Sequence, residues 1–156
     1  MTRLYVVAEG LTEVSFVREV LQPFLEQRCP GRMTVAAPNL RGQRRYSKVR
    51  KEVQSLLGAR EADVRVTTMI DLYRLPTDFP GLAEADHYDD PHQRVEQLEA
   101  RFGADVQDAR FVPYLQLHEF EALILADLAY LARYYPHREK ALQRLAEKLD
   151  RSSKPS

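Results

Sequence analysis

Short apolar runs alternate along this chain with longer stretches whose apolar positions recur every three or four residues. That pattern predicts strands joined by helices. Leu4-Tyr5-Val6-Val7-Ala8 is continuously apolar, as a strand covered on both faces is, and it stops at Glu9-Gly10. Gly10 permits a tight turn, and Thr12 is the expected N-cap of a helix. Val14, Val17, Leu21 and Phe24 carry that helix to Cys29-Pro30-Gly31, and Met33 to Ala36 reads as a short strand. After a loop from Pro38 to Gly42, a second helix places Tyr46, Val49, Val53 and Leu56 on one face. Val64, Val66, Thr68 and Ile70 alternate in a strand over 64–70 that stops at Asp71. Leu75 to Gly81 holds too many breakers for a regular element, so a structured loop is expected. Asp90 and Pro91 suit the N-cap and first position of a helix continued by Val95, Leu98 and Phe102. A strand over 111–117 contains Pro113, which cannot donate to a ladder and belongs at an edge or a bulge. Helices are predicted over 119–134 and 137–149, with a disordered tail at 151–156.

These elements predict an α/β fold, with about four mainly parallel strands and helices on both faces, in a single domain over 1–150. The endings of three strands then matter together. Glu9 (with Glu13 beyond it), Asp71, and His118-Glu119 (with Glu121 beyond) would collect at the carboxyl edge, where open α/β sheets bind ligands. Crowded carboxylates repel unless a cation lies between them. Glu9, Glu13 and Asp71 would offer three hard oxygen donors suited to Mg²⁺ or Mn²⁺. Each residue also has a plainer explanation. Glu13 near a helix N-terminus is favoured by the macrodipole, and acidic residues after strands are common in loops. Glu119 and Glu121 could share a metal only if the chain is still extended there, since residues two apart diverge on a helix. His118 is either a proton shuttle or ligand, or a capping histidine.

Charge adds one feature. Lys plus Arg (23) balances Asp plus Glu (23), so no global basic field advertises a nucleic-acid partner. The local run Arg41, Arg44, Arg45, Lys48, Arg50, Lys51 is the one strong cluster. Lys51 fits a solvated helix face, whereas Arg41 and Arg44 beside Gly42, with Arg45 and Lys48, are candidate phosphate contacts. The single cysteine, Cys29, excludes a disulfide framework and favours a reducing, cytoplasmic setting. The first apolar run is too short for a signal-peptide core or a membrane span, so no membrane partner is expected. No Gly-x-Gly-x-x-Gly follows the first strand, which counts against a dinucleotide site.

Glu9-Gly10-Leu11-Thr12-Glu13 after a strand, with Asp71 after a later one, resembles the TOPRIM domain of topoisomerases, primases and overcoming-lysogenization-defect nucleases. Three segments, Val7 to Glu13, Met69 to Gly81 and Pro113 to Leu123, more closely resemble a TOPRIM-like bacterial family, domain of unknown function 4276, often encoded near ABC-type ATPases in defence-like loci. The resemblance spans about residues 4–135 and implies a Rossmann-like TOPRIM fold. It implies a Mg²⁺-dependent nuclease acting on DNA or RNA, with Glu9 as catalytic acid or base, Asp71 in the metal role and Glu13 matching the second Glu of the nuclease-type motif. The strand endings add His118, beside Glu9 and Asp71, as a catalytic candidate, and Glu119 and Glu121 as candidates to join Glu9, Glu13 and Asp71 around the metal. An ABC-type ATPase and a second copy of the chain are the partners the resemblance suggests, and a non-catalytic regulatory subunit is the alternative. The chain departs from the usual Asp-x-Asp pattern, because Tyr73 stands where the second Asp would be. Members of such a family also continue beyond the last helix, which implies a longer C-terminal region.

Overall fold

In the computed structural model, all the strand pairings among the described residues are parallel. The structure describes residues 1–42, 45–118, 122, 125, 128–134 and 136–152. They fall into two compact units, residues 1–119 and 120–156.

The first unit is built on β1 (Thr2–Ala8), β2 (Met33–Ala36), β3 (Val64–Asp71), β4 (Phe111–Val112) and β5 (Leu115–Gln116). The sheet order is β2-β1-β3-β4, with β5 also on β3. This is the mainly parallel α/β architecture that the alternating pattern predicts. Val6 and Val7 point to opposite faces of β1, and both are buried, so helices cover the sheet on each side. Helix α1 (Leu11–Phe16) packs on β1, and α2 (Gln22–Arg28) packs on β2. Helix α3 (Tyr46–Leu57) packs on β1 and β3, while α5 (Pro91–Val106) packs on β4 and α3. A short α4 (Leu82–Ala85), not foreseen in the sequence, sits between the Leu75–Gly81 loop and α5.

The main core joins Val7, Val64, Val66 and Ile70 of the sheet to Tyr46, Val49, Val53 and Leu57 of α3. Their spacing along α3 is one stripe of the helix. Leu98 and Phe102 of α5 complete it, and Phe102 lies edge-on to Tyr46, Phe79 and Phe111. Asp90 caps α5 as expected, its Oδ1 accepting the His92 N–H at 3.0 Å.

Three local expectations are corrected. The N-cap of α1 is Gly10 rather than Thr12, because the Glu13 carboxylate reaches back to the Gly10 N–H at 2.9 Å. The helix that follows is not regular throughout. Val17–Leu21 forms a π turn, with the Gln22 N–H bonded to the Val17 carbonyl. Pro23 explains it, since proline removes the bond to the carbonyl four residues back and crowds that carbonyl.

The predicted strand at 111–117 is split. Pro113 and Tyr114 leave the ladder, and Thr68 of β3 fills the gap with its side chain. The Thr68 hydroxyl donates to the Tyr114 carbonyl (2.7 Å) and accepts the Tyr114 N–H (3.1 Å). Thr68→Val keeps the shape but removes both bonds. It is expected to lower stability in urea by about 1–3 kcal/mol, and an unchanged midpoint would show the hydroxyl to be dispensable. Gly81 holds φ +79°, and a Cβ there would meet Arg101 Cγ at 2.6 Å. Gly81→Ala is therefore expected to cost about 1–2 kcal/mol through backbone strain alone, read from the same titration.

The second unit contains α6 (Leu128–Tyr134) and α7 (Glu139–Ser152). Helix α7 continues past the predicted end at 149, so residues 151 and 152 are helical rather than part of a disordered tail. Residues 153–156 lie outside the described residues. No helix among the described residues is long and apolar enough to cross a membrane.

Candidate active site

The carboxyl ends of β1 and β3 lie side by side because the two strands pair in parallel register from Arg3↔Val64 to Ala8↔Met69. The Glu9 N–H continues the ladder to the Met69 carbonyl at 3.2 Å. One step further, the Asp71 N–H donates to Glu9 Oε2 at 3.3 Å. Positions 9 and 71, remote in sequence, thus touch at the rim of the sheet. Asp71 is 5% exposed, and the Glu9 side chain 19%.

Glu9 faces a cleft of about 490 Å³ lined also by Leu40, Val49, Ile70, Tyr73, Arg74 and the Leu75–Thr77 segment. Asp71 is not among the described residues that line it; its backbone N–H is bonded to the Glu9 carboxylate. Arg74 Nη1 stands 3.9 Å from Glu9 Oε1. It gets there because Leu72–Arg74 is a 3₁₀ turn starting from Asp71, which folds the chain back over the strand end. Sequence reading passed over Arg74, since nothing in the local pattern signals that turn. Tyr73, two residues after Asp71, is 67% exposed and forms part of the cleft wall.

The remaining candidates are distributed unevenly. Glu13 serves the capping box at Gly10. His118 is exposed in a bend beyond β5 and does not line the Glu9 cleft. Glu119, Glu121 and Arg44 lie outside the described residues. Gln116 is a polar group the sequence reading passed over. It is buried, is the register partner of Asp71, and accepts the Tyr114 hydroxyl at 2.6 Å. Nearby, the Glu99 carboxylate accepts the Leu115 N–H at 2.8 Å, and burial raises its pKa above the usual range.

Among the described residues, no group of three or more His, Cys, Asp or Glu side chains is arranged to hold a metal ion. The described carboxylate that faces the cleft is Glu9; Asp71, at the adjoining strand end, is 5% exposed and does not line it. That arrangement fits Mg²⁺ or Mn²⁺ of the kind bound by one or two carboxylates, with waters and substrate phosphates completing the shell. It does not fit an all-protein cage.

The loop from Pro38 to Gly42 forms a second wall. It is stitched to the end of β1 by the Leu40 N–H to the Ala8 carbonyl (2.9 Å) and the Gly42 N–H to the Glu9 carbonyl (3.2 Å). Asn39 Oδ1 accepts the Arg41 N–H at 2.6 Å, and Arg41 and Gly42 both hold positive φ, 53° and 68°. Arg41 and Lys48 line one cleft with Lys51, Glu52 and Ser55, whereas Arg45 is exposed at the N-cap of α3 and does not line it.

Residues 8–156 match the family described as a domain of unknown function (DUF4276), and the chain belongs to that family. No curated protein and no solved structure matches the chain.

Proposed function

We propose that this chain is a TOPRIM-type, Mg²⁺- or Mn²⁺-dependent phosphodiesterase that cleaves a nucleic acid at the Glu9–Asp71 edge, in a cytoplasmic setting. One observation carries the reading: Glu9, at the end of β1, receives the Asp71 N–H and faces Arg74 in an open cleft. Acidic and basic groups converge there on one concave surface, as phosphoryl transfer requires.

In this reading Glu9 would hold the metal in the cleft, and Asp71 at the adjoining strand end would be its second carboxylate. When bound, Mg²⁺ would neutralise charge developing on the phosphoryl oxygens and lower the pKa of a water. Glu9 gives or takes the proton at its Oε1, the oxygen facing Arg74; its Oε2 is kept oriented by the Asp71 N–H. Arg74 pairs with a non-bridging phosphate oxygen once substrate displaces it from Glu9. Leu40, Val49 and Ile70 give the floor an apolar lining that strengthens these charge interactions.

The test is incubation of the purified protein with single-stranded, duplex and structured substrates, with Mg²⁺, with Mn²⁺ and with chelator. Metal-dependent cleavage is expected, and its absence on every substrate would reject the assignment.

Tyr73 favours a second reading. It occupies the position of the second acid in the TOPRIM pattern and stands exposed in the cleft. A chain without that acid could serve as a non-catalytic regulatory subunit of an ABC-type ATPase. Stable co-purification with such an ATPase, without cleavage by the complex, would select this reading. Cleavage only in the presence of the ATPase would make the chain its nuclease effector.

A further inference from the structure

The cleft between the Pro38–Gly42 loop and α3 lies beside the Glu9 cleft. Leu40 lines both, and Gly42 is bonded to the Glu9 carbonyl. It encloses about 300 Å³ and is lined by Asn39, Arg41, Lys48, Lys51, Glu52 and Ser55. Lys48, Lys51, Glu52 and Ser55 fall at helical spacings of three, four and seven, so they share one stripe of α3. That stripe is distinct from the buried one of Tyr46, Val49, Val53 and Leu57. Lys51 therefore does not belong to an isolated solvated face; it turns toward the loop that carries Arg41.

Among the described residues, none of Arg41, Lys48 and Lys51 is in an ion pair. Three cations around one concavity repel each other, and only Glu52 on the lining offsets them. Arg41 is also held there at some cost, because a non-glycine residue at φ 53° is disfavoured and the Asn39 side chain and the bonds to β1 maintain it. A salt-bridged surface helix needs neither the crowding nor the strain. Both suit a site for a polyanion.

We propose that this cleft is a backbone-phosphate subsite, in which Arg41, Lys48 and Lys51 grip a phosphate of a polynucleotide next to the one presented to Glu9. The proposal rests on the phosphodiester reading of the adjoining cleft, but it needs no cleavage. Asn39 and Ser55 add neutral hydrogen-bonding groups to the lining, Leu40 is its one apolar residue and is buried, and no aromatic ring stands among the lining residues for a base to stack on. The subsite is therefore expected to hold sequence-independent contacts.

The test is fluorescence anisotropy of labelled single-stranded DNA and RNA oligonucleotides, titrated with the full chain in chelator so that no chemistry intervenes. Lys48→Ala with Lys51→Ala is expected to weaken binding about tenfold and to flatten the plot of log affinity against log salt by about 1.4, the loss of two phosphate contacts on a single strand. Arg60→Ala, in the loop between α3 and β3, is expected to change neither. Wild-type affinity and slope in the double variant, or no oligonucleotide binding by the native chain, would overturn the subsite.

If the double variant is poorly folded, acetylation of the native protein replaces it. Bound oligonucleotide should slow modification of Lys48 and Lys51 but not of the Met1 amine, which is exposed at the opposite, amino end of β1, and equal protection of all three would overturn the proposal. Binding that depends on Lys48 and Lys51 without metal-dependent cleavage would defeat the nuclease reading and leave the subsite standing.

Discussion

Phe102→Ala is expected to remove about 3–5 kcal/mol of stability, the largest loss from any single side chain in the first unit. Phe102 is fully buried where α5, α3 and the sheet meet. Its ring stands edge-on to Tyr46 at 5.6 Å, Phe79 at 5.2 Å and Phe111 at 4.7 Å between centroids. Truncation leaves a void that these neighbours cannot all close. It also forfeits aromatic contacts worth about 0.5–1.5 kcal/mol each beyond the buried area. Domains of this size have about 5–15 kcal/mol in total, so the variant should be partly unfolded at moderate urea. Phe24→Ala is the control: Phe24 is half exposed and packs mainly under the Arg28 guanidinium at 4.6 Å, so a loss of only about 0.5 kcal/mol is expected. Equal losses in the two variants would mean that the aromatic cluster does not hold the unit together.

The residues that make this core were legible because burial imposes periodicity. A parallel strand with both faces covered is near-continuously apolar, which is why 4–8 stands out, whereas 64–70 is marked by the alternation of Val64, Val66, Thr68 and Ile70. Tyr46, Val49 and Val53 share a stripe because α3 has only one face on the sheet. What escaped the reading depended on partners distant in sequence. The strand at 111–117 breaks because Thr68, 46 residues before Tyr114, can replace the missing ladder with its hydroxyl. Thr68 in an alternating run looks like any β-branched strand residue. The Gly10 cap, in contrast, was within reach, since Glu13 three residues on is the usual partner of such a cap.

The candidate site divides in the same way. Glu9 and Asp71 could be placed together from strand endings alone, because parallel neighbours bring their carboxyl ends to one edge. Arg74 could not, because its approach to Glu9 depends on a 3₁₀ turn that the sequence does not mark. Lys51 and Arg41 line one cleft although helical periodicity puts Lys51 on a solvated face and says nothing of the loop. The loop is fixed to β1, and that fixes which stripe of α3 it meets.

Glu9→Gln is expected to lower metal-dependent cleavage by about 10²- to 10⁴-fold while leaving oligonucleotide affinity in chelator unchanged. The amide keeps the length and the acceptor oxygen that takes the Asp71 N–H, so the rim of the sheet and the melting temperature should be preserved. It loses the ability to carry a proton and the charge that would help hold a divalent ion. A structural role for Glu9 predicts the opposite pattern, a lower melting temperature with little change in rate per folded molecule.

Arg74→Ala is expected to weaken substrate binding and slow cleavage while the melting temperature holds. If Arg74 serves only to neutralise Glu9, its removal should affect stability alone. The assignment depends on Glu9 as a proton-carrying group at a strand end shared with Asp71. Undiminished turnover in Glu9→Gln would leave the cleft as a binding surface and move any chemistry elsewhere in the chain.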